Sequence, residues 1–122
     1  MYDKGHNVIV ELTFVFALNI ISYCDELDRA RKYVVCKQLL KSGTSIGANV
    51  RESQSSESRA DFIHKMKIAG KETQETIYWL TLCKEAENFP PVKNSLIDEC
   101  ETILRIISKI IHTSKTNQLN NL

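Results

Sequence analysis

Six basic residues and no acidic ones lie between positions 29 and 51: Arg29, Arg31, Lys32, Lys37, Lys41 and Arg51. At about 100° per residue, Lys37, Lys41 and Arg51 fall on a helical arc away from Leu39. Further on, Lys67, Lys71 and Tyr78 share an outward arc, with His64 nearby. Cationic side chains beside an exposed aromatic supply phosphate contact and base stacking, the two elements of single-strand binding. The competing expectation is a solvated basic face, balanced by Glu72, Glu75, Glu85, Glu87, Asp98, Glu99 and Glu101.

Catalytic arrangements are harder to find. Asp61-Phe62-Ile63-His64 has the acid-x-x-His spacing that holds metal pairs in helical bundles. No Glu-x-x-His motif accompanies it, and the register turns Phe62, not His64, to the core. His6 and His112 lie near the ends and are expected in solvent. The sequence has neither Gly-x-x-x-x-Gly-Lys-Ser/Thr nor Gly-x-Ser-x-Gly. Ser53, Ser55, Ser56 and Ser58 have no evident base and suit loop or cap use. The expectation is a non-enzymatic protein with no metal, no cofactor and no catalytic residue.

Cys24, Cys36, Cys83 and Cys100 are 12, 47 and 17 residues apart, with no Cys-x-x-Cys. Such spacing suits buried thiols in a reducing cytoplasm better than zinc or a disulfide scaffold. Cys24 and Cys36 alone are placed for a cross-helix pair. The apolar run Val8 to Ile21 is 14 residues long and is interrupted by Glu11 and Asn19. A spanning helix needs about 20 residues, so a core helix is expected and no membrane partner.

The elements that must position these residues follow from periodicity and punctuation. With 122 residues, two prolines, four glycines and a net charge of +1, a single helical domain is the natural count. Near-neutrality excludes a uniformly basic nucleic-acid coat. Four helices are expected near 7–26, 30–55, 58–87 and 92–113, followed by a polar, fraying tail over 114–122. Asn7 is the expected first N-cap, and Ser58 with Asp61 a short capping signal. Asn88-Phe89-Pro90-Pro91 is the strongest break.

The Ser42 to Asn49 stretch reads as a loop by turn chemistry. Cys36, Leu39, Gly43, Ile46 and Val50 nevertheless keep one helical face through it, which predicts a continuous helix. Gly43 and Gly47 would then admit a close neighbour. Helix 3 places Phe62, Met66, Ala69, Thr73, Ile77, Leu80 and Cys83 on one face. Helix 4 repeats Leu96, Cys100, Ile103, Ile107 and Ile110 at 4-3-4-3, with Ile97, Leu104 and Ile111 flanking. Phe14, Leu18, Ile68, Trp79 and Ile106 fall outside these stripes. Surplus apolar surface of this kind predicts contact with a second copy.

Residues 41–53, Lys-Ser-Gly-Thr-Ser-Ile-Gly-Ala-Asn-Val-Arg-Glu-Ser, closely resemble the signature of the 23S rRNA intervening sequence proteins. So do Phe62 to Ala69, Lys71-Glu72, Glu75 and Tyr78-Trp79-Leu80. The resemblance spans nearly the whole chain and implies an all-α, antiparallel up-down-up-down four-helix bundle. It also implies a homopentameric ring, with a role near RNA or DNA inferred from where the genes lie. The related accessory proteins of diversity-generating retroelements share bundle and pentamer but are markedly basic, which this chain is not. Gly70 departs from the usual pattern. The rival expectation is a structural or adaptor oligomer that binds another protein without touching nucleic acid.

Overall fold

The computed structural model describes the backbone of residues 4–120 and the side chains of residues 8–117 and 119. It contains four helices: α1 (Lys4–Arg29), α2 (Tyr33–Ser53), α3 (Arg59–Glu85) and α4 (Asn94–Asn120). Each packs on its sequence neighbours, and α1 closes on α4 along the sparsest of the four seams. Cross-helix contacts fix the antiparallel order. Thr76 Oγ1 lies 2.9 Å from Ser42 Oγ, Lys65 Nζ is 3.4 Å from Glu52 Oε1, and Asn19 Nδ2 donates to Glu99 at 3.2 Å. The fold is an all-α four-helix bundle.

The core takes one stripe from each helix: Ile9, Phe16, Ile20 and Leu27; Leu39, Ile46 and Val50; Met66, Ala69 and Leu80; Cys100, Ile103 and Ile107. The buried hydroxyls of Thr13, Ser42, Ser53, Thr73 and Thr76 donate to carbonyls of their own helices, since an unpaired one would cost stability. Thr13 donates to Ile9 O at 2.8 Å, and Thr73 donates to Ala69 O at 2.7 Å. Helix α2 runs unbroken through Ser42 to Asn49. A Cβ added at Gly43 would lie 2.8 Å from Ile20 Cγ2, and one at Gly47 would lie 3.3 Å from the Thr13 carbonyl oxygen. Both glycines therefore let α1 approach closely. Gly70 does not act this way, because a Cβ there would sit 3.6 Å from Ile107, an ordinary contact.

The helix ends differ from the sequence expectation in three places. Asn7 lies inside α1, which begins at Lys4, so it is not the N-cap. Arg31 adopts φ 63 and closes α1 with two carbonyl contacts, Arg31 N to Asp28 O and Lys32 N to Leu27 O, both 2.9 Å. That is the Schellman arrangement, and it delays α2 until Tyr33. The region expected as a tail, 114–122, is helical as far as Asn120. Ser114 is buried there at the next position of the same 4-3-4 repeat. Ser58 does cap α3, its hydroxyl accepting from Asp61 N at 3.0 Å.

Candidate nucleic-acid interface

Lys37, Lys41 and Arg51 are all exposed on the outer arc of α2. They do not share one environment. Lys41 leans towards α3 and lies near Glu72. Partial burial and the neighbouring Glu75 carboxylate raise the Glu72 carboxyl above its ordinary range, while the Lys41 ammonium pulls it down. The positive charge of Lys41 is thus partly answered inside the bundle. Arg51 leans the other way, with its guanidinium 6.0 Å from the centre of the Phe14 ring on α1. Beside it runs an open, mostly apolar groove of about 260 Å³ between α1 and α2, floored by Gly47 and Ala48.

Lys67, Lys71 and Tyr78 form a separate group on α3. Their spacing of i, i+4 and i+11 keeps them within one narrow arc, opposite the buried Ala69 and Leu80. Tyr78 is 58% exposed, enough to offer a ring face to solvent. Its other contact is edge-on to Trp79, with ring centroids 5.4 Å apart. Trp79 in turn donates from Nε1 to Glu75 Oε2 at 3.4 Å. The six expected residues therefore split between three surroundings and do not make a single face.

One cation was not foreseen. The Lys115 ammonium lies near Lys67, and the repulsion between the two like charges lowers the Lys67 pKa from its ordinary value. The sequence reading placed Lys115 in a frayed tail. The signal that would have found it is the repeat Ile103, Ile107, Ile110, which continues to Ser114 once a hydroxyl is allowed in an apolar register.

The residues expected at a contact between copies also divide. Phe14 and Leu18 are 53% and 51% exposed, with Val8, Leu12, Val15 and Ile21 exposed around them on α1. Ile68 is half-buried, and Trp79 and Ile106 are half-buried against the bundle's own core. Helix α1 thus carries the largest share of the exposed apolar side chains, with Tyr33, Val34 and Leu40 exposed on α2, Tyr78 and Leu82 on α3 and Leu119 on α4. By length and composition alone the stretch Val8–Arg29 could cross a membrane, though a third of its most apolar window is buried in the bundle.

His64 is exposed and Phe62 packs on the core, as the register required. Among the described residues no three His, Cys, Asp or Glu side chains converge as metal ligands. All four cysteines are free thiols. Cys24 and Cys36 do meet: Cys36 Sγ donates to Cys24 O at 3.3 Å, and Cys24 Sγ to Cys36 O at 3.7 Å. Burial, with the Cys36 thiol beside it, pushes the Cys24 thiol up to about 12. Burial, with Glu101 and Glu99 nearby, does the same to Cys100. Such thiols stay protonated and weakly nucleophilic at neutral pH.

The profile of the 23S rRNA-intervening sequence protein family matches residues 6–109. The chain belongs to this family. A crystal structure of a protein of unknown function from the S23 ribosomal protein family of Bacteroides thetaiotaomicron is similar to it at 38% identity. Their TM-score is 0.81, over 88% of this chain and 98% of that one. None of the curated proteins matches. Membership accounts for the conjunction of the 41–53 segment, which packs α2 on α1, with the 62–80 segment, which packs α3 on α2. It assigns no reaction, since the solved relative is itself described as of unknown function.

Proposed function

We propose that this family member works without catalysis, as a homo-oligomer that holds nucleic acid against its outward lysines in the cytoplasm. The observation that carries the oligomer is the apolar outer surface of α1. Six large side chains there, from Val8 to Ile21, are 39–53% exposed in the single bundle. Apolar side chains exposed in that number on one helix are expensive to leave in water and suit a second copy. A pentamer, which the resemblance implies, would repeat every basic group five times. Contacts that are weak on one subunit then combine as avidity.

The nucleic-acid reading is supported by the outer arc of α3, where Lys67, Lys71 and the exposed Tyr78 lie together. A second reading keeps the oligomer and gives its outer face to another protein. It draws on the partial neutralisation of Lys41 by Glu72 and on the overall charge of +1. Native purification with light scattering and an absorbance ratio separates the two. A particle of about 70 kDa, five times 14.0 kDa, carrying nuclease-sensitive absorbance at 260 nm supports the proposal. A 14.0 kDa species overturns the oligomer. A stoichiometric protein partner that survives nuclease treatment, with no nucleic acid, supports the adaptor instead.

A further inference from the structure

Cys24 and Cys36 meet across the α1–α2 seam in a reciprocal contact. Cys36 Sγ reaches the Cys24 carbonyl oxygen at 3.3 Å, and Cys24 Sγ reaches the Cys36 carbonyl oxygen at 3.7 Å. When each sulfur touches the other residue's backbone, both side chains lie between the two helices. A disulfide requires that placement, because its two Cβ atoms are only about 3.8 Å apart. Rotation about the Cα–Cβ bonds turns the sulfurs from the carbonyls towards each other. Cys100, by contrast, directs its thiol at the Thr73 carbonyl on α3, 3.7 Å away. The two facing cysteines also differ in access: Cys24 is buried, whereas Cys36, in the first turn of α2, is partly open to solvent.

We infer that Cys24 and Cys36 form a reversible oxidation site, at which a peroxide converts the pair to a disulfide tying the end of α1 to the start of α2. The inference is independent of the oligomer and of nucleic-acid binding. Access sets the order of events. Hydrogen peroxide meets Cys36 first. The Cys36 sulfur attacks one peroxide oxygen, the O–O bond breaks, and a sulfenic acid forms with release of one water. The Cys24 sulfur then attacks the Cys36 sulfur. The S–O bond breaks as the S–S bond forms, and the hydroxyl leaves with the Cys24 proton as a second water. Two thiols are oxidised and one peroxide is reduced to two waters. Burial holds the proton on Cys24 at neutral pH, so the second step is the slower and quickens as pH rises. A thiol reductant reverses the bridge by exchange. The bridge closes a short loop around the Arg31 corner, which restricts the unfolded chain and should raise resistance to urea.

The test treats the folded full chain with hydrogen peroxide and then blocks the remaining thiols with a maleimide in denaturant. Trypsin places the four cysteines on separate peptides, 5–29, 33–37, 72–84 and 94–105, so a non-reducing digest identifies the partners of any bridge. The expected product is a single chain with two blocked thiols in place of four, and with peptide 5–29 joined to 33–37. Dithiothreitol should restore all four thiols. Cys36→Ala should give no bridge, Cys100→Ala should bridge as the parent does, and circular dichroism checks that both stay helical. The urea midpoint of the oxidised parent should exceed that of the reduced one. Four thiols still free after treatment, or a Cys36 sulfinic acid without a bridge, would overturn the site. So would a bridge between other peptides or between copies, a bridge that forms only in urea, or a lower urea midpoint after oxidation.

Discussion

At the scale of single residues, three helical glycines with the same propensity cost are separated by what a methyl group would meet. Gly43 is closed by Ile20, whose Cγ atoms would lie 2.8 and 2.9 Å from an added Cβ. Ile20 is fully buried and β-branched, so it cannot turn aside. Gly43→Ala should cost about 1–3 kcal/mol despite the better helix former. Gly47 faces backbone, which yields less than a side chain, and Gly47→Leu should cost about 3 kcal/mol. Gly70→Ala should instead stabilise by up to about 1 kcal/mol, the propensity gain with no clash. Urea titrations rank the three, and a destabilised Gly70→Ala would remove the distinction. The 41–53 motif made the first two glycines legible, whereas the openness at Gly70 depends on α4 and was not.

The thiols belong to the same scale. Cys24 and Cys100 titrate near 12 in the fold, against an ordinary value of 9.0. Below pH 9 both folded and unfolded chains keep the protons, and the contribution of the buried thiols is fully present. As pH rises from 9 towards 12 the unfolded chain loses them first, so stability falls. Urea midpoints measured from pH 7 to 10 should be level and then decline. A Cys24→Ala/Cys100→Ala variant should decline less over the same range; an identical decline would assign the loss to other groups. Burial is a tertiary fact. The sequence reading took the cysteines as buried small hydrophobes, but it could not tell which were deepest.

At the scale of elements, periodicity was a better guide than local chemistry inside helices and a worse one at their ends. The Ser42 to Asn49 stretch is helical because its every third or fourth side chain is needed in the core, and that need outweighs two glycines. The α1–α2 corner was expected over 27–29 and lies at 30–32, because Ala30, Arg31 and Lys32 are good helix formers and read as the start of the second helix. Their backbone instead turns at Arg31 so that the Asp28 and Leu27 carbonyls find donors. An arginine at φ 63 carries strain that glycine does not. Arg31→Gly should therefore stabilise by about 0.5–1 kcal/mol, because relief of that strain exceeds the extra entropy glycine loses. The melting temperature checks it, and an unchanged or lower value would mean that the Arg31 side chain contributes more than its backbone costs. The end of α4 was missed for the converse reason. Ser114 and the polar residues after it look like tail, and only burial against the bundle shows otherwise.

At the scale of the whole molecule, the charge pattern and the apolar pattern point to different surfaces. The charge balance of +1 is segregated along the chain, but folding partly undoes the segregation by setting Lys41 beside Glu72 and Lys65 beside Glu52. What stays unanswered is local, on α3 and the end of α4. The apolar surplus was legible from the number of apolar stripes; its location was not, because the bundle itself takes up much of Trp79 and Ile106. That leaves α1 as the surface through which the proposed oligomer would form. Burying Phe14 or Leu18 fully is worth about 1.5–3 kcal/mol each relative to exposure, and a ring repeats the gain at every interface. Phe14→Glu/Leu18→Glu places two carboxylates in that contact while touching no buried residue. The double variant should sediment at 14.0 kDa, keep its helical circular dichroism and bind oligouridine more weakly than the parent, because avidity goes with the ring. Trp79→Phe should leave the mass unchanged, since the ring already packs within its own bundle. A double variant that keeps the parent's mass would place the contact elsewhere, and the exposed side chains of α1 would then need another occupant.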